Sequence, residues 1–236
     1  MNLDKSLNYY SKDSITQIGE RFVTKSTIEI IKPNVVGKKV LNLGLGNGKT
    51  SLILDNISSS QVVVEGSKKI IESFSFESAK TTFVESYFEN FSTKEKFDVV
   101  LANHVLEHVD DPIKIMTIKF NEWLSNDGIA LITVPNARSI HRLIGKDMGI
   151  IKNEYELNES DIKAGHKRVY DIETLKKQIN VSGLDIISLG GYNIKMVSLY
   201  QMREWSQELL NSIYRVSKKM PPEICSNIWE KVKIKK

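Results

Sequence analysis

The chain has 236 residues, 41% hydrophobic and 26% charged, with a formal net charge of +4. That length fits one domain with a sizeable core and leaves little room for two, while the composition excludes wholesale disorder. A single cysteine, Cys225, excludes an intrachain disulfide and a cysteine-based zinc site and makes a cytoplasmic location the expectation.

The opening MNLDKSLNYYSKDS lacks an apolar signal core, and no later apolar run approaches the ~18 residues of a membrane span, so neither export nor membrane insertion is expected. Phe22, Val23, Ile28, Ile30 and Ile31 predict a lead-in helix that stops before Pro33. After Gly37 the pattern changes to short apolar runs: VLNLG (40–44), VVVE (62–65), TTFV (81–84), FDVVLAN (97–103) and IALITV (129–134), each a strand buried on both faces. Helices are predicted between them near 48–57, 67–78 and 112–124. Strands alternating with helices imply an α/β, doubly wound, mostly parallel sheet. Pro135 ends the fifth strand, and residues 136–170 break the rhythm for a length that in a compact domain is often functional. DIETLKKQINVSG then predicts a helix opening on an Asp171/Thr174 capping pattern and closing at Gly183. LDIISLGGYNIKMVSLY predicts a last pair of strands, Trp205, Leu209, Leu210 and Ile213 a C-terminal helix packed on the sheet, and KVKIKK a frayed basic tail.

The stretch LNLGLGNGKTS, 41–51, resembles two nucleotide-binding loops and matches neither. A phosphate-binding G-x-x-x-x-G-K-[ST] loop would need a glycine where Leu43 stands, and the third glycine of a G-x-G-x-x-G fingerprint would fall on Lys49. What remains is Asn42-x-Gly44-x-Gly46-x-Gly48 at the carboxyl end of the first strand, where open parallel sheets bind ligands. Glycines there let the backbone turn tightly and approach a ligand. Glu65, at the end of the second strand, sits where an acid grips ribose hydroxyls in dinucleotide folds, so the ligand is expected to contain a nucleoside.

Asn42 to Gly48, Glu65 and FDVVLANHVLEHVDDP together resemble the successive motifs of class I S-adenosylmethionine-dependent methyltransferases, over roughly residues 37–190. The resemblance implies a Rossmann-like seven-stranded sheet with its last strand antiparallel, and S-adenosyl-L-methionine as cofactor. It implies that Gly44 and Gly46 pass the methionine part, Glu65 binds the ribose, Tyr87 and Phe88 frame adenine, and Asn103 lies near the sulfonium. Asn42 replaces the acid usual in the family, so its amide would accept from the cofactor's amino group without a formal charge.

Methyl transfer requires alignment of acceptor, methyl and sulfur, and an acceptor hydroxyl also needs a base. All four histidines fall in two regions. His104-Val-Leu-Glu107-His108 has the H-x-x-E-H form of a metallopeptidase motif, but Asp110-Asp111-Pro112 interrupts any helix there. The stretch also resembles the E-x-x-E-H of ubiquinone-pathway and small-RNA O-methyltransferases, and the RNA enzymes add a distant histidine, a place His166 could fill. A divalent metal therefore stays open; without one, His104 faces the acceptor. GHKRVY, 165–170, lies in the second region, the 136–170 insert that also holds His141, with His166 expected as base or acceptor-orienting group and Arg168 and Tyr170 placing substrate. Arg138, His141 and Arg142 join them as substrate-binding candidates, and several cations over one pocket suit a phosphorylated or nucleotide-linked acceptor. The layout PNARSIHRLIG…GHKRVYDIETL resembles methyltransferases of bacterial surface-polysaccharide (capsule) clusters, including the O-methyl phosphoramidate type.

The expected organisation is a single domain: lead-in helices at 1–36, a cofactor-binding core at 37–135, a substrate lid at 136–170, and C-terminal strands and helix at 171–236. The expected reaction is O-methylation of a small, polar, anionic metabolite; neither nucleic acid nor membrane is an expected partner. Quinone-pathway phenol methylation, metal-assisted RNA 2′-O-methylation and a non-catalytic cofactor-binding module are the alternatives.

Overall fold

The computed structural model describes residues 14–236. They contain one seven-stranded sheet of order β3-β2-β1-β4-β5-β7-β6. The strands are β1 (Lys39–Leu43), β2 (Ser60–Glu65), β3 (Thr81–Glu85), β4 (Phe97–Asn103), β5 (Leu124–Pro135), β6 (Leu184–Tyr192) and β7 (Asn227–Ile234). β7 runs antiparallel to both neighbours, and the other pairings are parallel.

Alternation along the central strands divides the core between two layers. Leu41 and Leu43 of β1, Val100 and Ala102 of β4, and Ala130, Ile132 and Val134 of β5 share one cluster. Over it lie Ile115, Met116, Phe120 and Trp123 of α4, a continuous helical run made of Pro112–Lys114, a π turn Ile115–Lys119 and Phe120–Trp123. Val40, Val99, Leu101 and Leu131 point the other way, against Ile31 and Val35 of α1 (Ser14–Val35) and Leu54 of α2 (Lys49–Ile57). Strands buried on both faces must be nearly continuous in apolar residues, which is why β1, β2, β4 and β5 were legible in the sequence; β3, expected to be buried likewise, is an edge strand with Thr82 and Glu85 exposed. α3 (Lys68–Phe74) packs Ile70 beside Val63. α1 continues through Pro33 instead of stopping before it, because a missing N–H in the final turn removes only one helical bond. The polar N-terminal segment, 1–13, lies outside the described residues. No helix among the described residues is long and apolar enough to cross a membrane.

Past β5 come α5 (Ile140–Asp147) and α6 (Glu159–Ala164), and the insert is closed at its ends by a single parallel bridge between Asn136 and Tyr170. α7 (Ile172–Val181) opens on the reciprocal capping box of Asp171 and Thr174, and Gly183 follows it with φ 73°.

The C-terminal quarter departs from expectation in two ways. The predicted last strand pair supplies only β6; its partner is β7, and the expected basic tail belongs to that strand. Ile228, Glu230 and Val232 point inward in period two while Lys231 and Lys233 interleave, so the charges disguised the pattern. α8 (Leu199–Met202) and α9 (Gln207–Ser217) follow β6. α9 packs on α1, with Tyr214 stacked on Phe22 at 5.5 Å between ring centroids.

Candidate active site

The parallel strands end at one edge of the sheet, and antiparallel β7 begins there. Along that edge opens a cavity of about 770 Å³, lined by Gly44, Glu65, Asn103, Asn136, Asn193 and Asn227 among others. Its position over the β1/β4 reversal of strand order is the switch point at which such sheets bind ligands.

The first half of the cavity is built from the glycine turn. Gly44 and Gly46 have φ of 83° and 55°, left-handed values that side chains resist. Gly48 (φ 75°) also has no room for a side chain, since a Cβ would lie 2.7 Å from the Phe74 carbonyl oxygen. Asn42 is buried and donates from Nδ2 to Ser51 Oγ at 2.9 Å. The Glu65 carboxylate accepts from the backbone N–H of Leu45 at 3.1 Å and of Ser67 at 2.9 Å. Burial raises its pKa against the pull of those backbone donors. Tyr87 stands exposed at the rim, Phe88 packs on the core, and Asn103 accepts from Thr133 Oγ1 at 2.6 Å. All seven residues expected to contact cofactor line this one cavity.

Beyond β4 the chain turns sharply at His104 (φ 54°), whose N–H is held by Thr133 O at 3.0 Å. Residues 104–111 form turns, not a helix, so the H-x-x-E-H spacing does not place its side chains on one helical face. His104 Nδ1 is 3.1 Å from Glu107 Oε1 and its Nε2 is 2.8 Å from the Tyr192 hydroxyl. Both ring nitrogens are therefore engaged, although the ring touches the cavity. Glu107 is fully buried, yet the three nearby imidazoles outweigh burial and hold its pKa below the usual range. Its Oε2 has no hydrogen-bond partner among the described residues.

The insert brings His166 against this loop. Gly165 (φ 80°) ends α6 and turns the chain so that His166 Nδ1 meets Asp161 Oδ1 at 3.0 Å. Asp161 also caps α6 and receives Arg142 NH1 at 2.9 Å on Oδ2; these bonds hold its pKa near 2 against burial. A carboxylate only accepts, so in a neutral His166 ring the proton sits on Nδ1 and Nε2 is left as the acceptor. His108 donates similarly from Nδ1 to Gly165 O at 3.3 Å, and the two imidazoles meet edge to face with centroids 4.9 Å apart. Glu107, His108 and His166 each bring a ligand atom within 4.8 Å of the others, a donor set that suits a divalent cation. His104 stands outside that group.

The remaining candidates separate. His141 and Arg142 line the cavity; Arg138, Arg168 and Tyr170 do not. The expected substrate-placing groups of Arg168 and Tyr170 are spent on the protein: the guanidinium binds the carbonyls of Leu106, Val109 and Asp110, and the phenol reaches Leu106 O and Gln178. They fasten the insert to the 104–111 loop, assisted by Lys167, which pairs with Asp110. Arg138 is exposed. Asp161, Asn193 and Lys195 were not anticipated as site residues; for Asp161 the local signal was the Asn158-x-x-Asp161 helix start.

A family model described as a methyltransferase domain matches residues 7–189. The chain belongs to that family. This methyltransferase is 29% identical over 136 residues to the ubiquinone biosynthesis O-methyltransferase of Pelagibacter ubique (strain HTCC1062), an alignment covering 56% of each protein, so the match spans about half the length of that relative. Its fold is similar to an S-adenosylmethionine-dependent methyltransferase from Mesorhizobium loti (TM-score 0.62, 13% identity, 89% of this chain and 97% of that one). It is also similar to the plantazolicin methyltransferase BamL in complex with a triazolic desmethylPZN analog and SAH (TM-score 0.61, 16% identity, 98% and 94%). The chain is a methyltransferase-family domain with the Rossmann-like fold of these S-adenosylmethionine-dependent enzymes.

Proposed function

We propose that the enzyme O-methylates a small hydroxylated metabolite that bears an anionic group, with His166 as general base. The observation that carries this reading is the Asp161–His166 pair: the carboxylate fixes the tautomer and leaves Nε2 as the proton acceptor on the cavity wall. S-adenosylmethionine supplies a methyl group on a sulfonium. Glu65 would hold its ribose hydroxyls and Tyr87 and Phe88 would flank its adenine, while Gly44, Gly46, Asn42 and Asn103, which line the same cavity, would hold its methionine end. His166 Nε2, on the cavity wall, would take the acceptor's hydroxyl proton as that oxygen is methylated. His104, tied to Glu107 and Tyr192, is a positioning residue in this scheme. A phosphorylated or nucleotide-linked surface-polysaccharide precursor is one acceptor of this class; a quinone-pathway phenol, suggested by the likeness to the Pelagibacter ubiquinone biosynthesis O-methyltransferase, is a rival.

Turnover in His166→Ala tests the reading, with S-adenosylhomocysteine binding as the control. Base loss predicts a rate lower by about 10²–10⁴-fold with cofactor binding intact; an unchanged rate would sink it. A second reading is supported by the Glu107–His108–His166 cluster, whose unpartnered Glu107 Oε2 and histidine lone pairs would hold a divalent cation that lowers the acceptor's pKa. Metal content of the purified protein, and activity after chelation and re-addition, separate the two.

A further inference from the structure

Lys195 lies three residues past the end of β6 and faces the same cavity. The turn that carries it is fixed from two directions. Asn193 adopts a left-handed φ of 58°, its carbonyl accepts from Ser226 N–H at 2.7 Å, and its side-chain oxygen accepts from Ser26 Oγ of α1 at 2.8 Å. A lysine held by such a turn is placed, not merely tolerated.

Among the described residues, the other cations of the lining are committed or exposed. Arg142 serves Asp161 and the carbonyls of Glu154 and Glu156, Lys167 pairs with Asp110, and Lys114 is exposed to solvent. The Lys195 ammonium, on a half-buried side chain, has neither a hydrogen bond nor an ion pair among the described residues. Asp161 is within its electrostatic reach but already holds His166 and Arg142. An ammonium taken out of water without a counter-charge is unfavourable, and burial lowers its pKa to about 8. Beside it, burial and then the Lys195 and Arg142 charges keep the His141 ring neutral, with a pKa of about 2, and its Nδ1 has no partner among the described residues. A neutral imidazole can turn one N–H toward an anion. Phe22, Leu210 and Ile213 add apolar surface from α1 and α9 to the same cavity.

We infer that Lys195, with the His141 ring beside it, is an anion subsite that selects methyl acceptors carrying a carboxylate or phosphate group on an apolar body. The inference rests on the O-methyltransferase reading above, and adds the residues that choose the acceptor. In this arrangement the hydroxyl meets His166 while the acid group is anchored at Lys195.

The test is calorimetric titration of the full chain, saturated with S-adenosylhomocysteine, with benzoate and with phenyl phosphate. The tighter of the two probes identifies the acid group. Lys195→Met is expected to weaken that probe by about tenfold or more, while Lys195→Arg and Lys114→Met stay within about threefold of the wild type. Equal binding by wild type and Lys195→Met, or no binding of either probe to a wild type that does bind S-adenosylhomocysteine, would overturn the inference and leave the methyltransferase site intact. Loss of S-adenosylhomocysteine binding by the wild type would instead strike the reading of the cavity on which it depends.

Discussion

His166 Nδ1 lies 3.0 Å from Asp161 Oδ1, while the other oxygen of the same carboxylate is 2.9 Å from Arg142 NH1. One buried acid thus sets the tautomer of the proposed base and neutralises a buried guanidinium. Asp161→Asn would place an amide against His166, free to offer its N–H and draw the proton to the wrong nitrogen. The expected outcome is a kcat lower by about 10²-fold with unchanged S-adenosylhomocysteine affinity. Thermal melting must accompany the kinetics, because an Arg142 left without its carboxylate also lowers stability. A variant with full kcat would remove Asp161 from the mechanism.

Glu65 closes the glycine turn from the inside by accepting the N–H groups of Leu45 and Ser67. Glu65→Ala removes that brace and the proposed ribose acceptor together, so affinity for S-adenosylhomocysteine should fall by about 10- to 100-fold. Glu65→Gln, which keeps the volume and one acceptor oxygen, should lie between. Calorimetry gives the order, and wild-type affinity in Glu65→Ala would contradict the assignment.

Arg168 was expected to touch substrate, but its guanidinium binds three carbonyls of the loop after β4. Arg168→Met should therefore cost about 2–4 kcal/mol of stability by stranding those acceptors. At temperatures where the variant remains folded, the acceptor KM should stay within about twofold of the wild type. A tenfold rise in KM without loss of stability would restore the substrate-placing role.

Glu230 is buried in the middle of β7, and neither of its carboxylate oxygens has a partner among the described residues. Burial pushes its pKa up to about 7. Since the unfolded value is about 4.3, the folded state binds the extra proton between roughly pH 4.3 and 7. Stability attached to this group is therefore fully present below about pH 4.3 and is lost as pH rises through about 7. Glu230→Met should stabilise the protein at pH 8 by up to about 3 kcal/mol and by much less at pH 5. Urea unfolding at the two pH values decides; an equal shift at both would mean that charge is not the cause.

The sequence by itself determined the central half of this molecule. Strands β1, β2, β4 and β5 are apolar on both faces, and Gly44, Gly46 and Gly48 mark a turn whose left-handed backbone is a property of a few consecutive residues. Glu65 was legible for a similar reason, because its place is set by the end of a strand. The proposed acceptor side depends on long-range packing. β7 looked like a basic tail because its exposed lysines interleave with three buried positions, and a single strand at the end of the chain has no local signal for insertion between β5 and β6. His104 and Arg168 carried the right chemistry for a reaction, yet their polar atoms are engaged by Glu107, Tyr192 and backbone carbonyls that the fold delivers from elsewhere. Lys195 had no motif at all. Its place in the cavity follows from Asn193 being held by Ser26 and Ser226, residues about 170 positions before it and about 30 after it along the chain, and long-range packing of that kind leaves no periodicity to read.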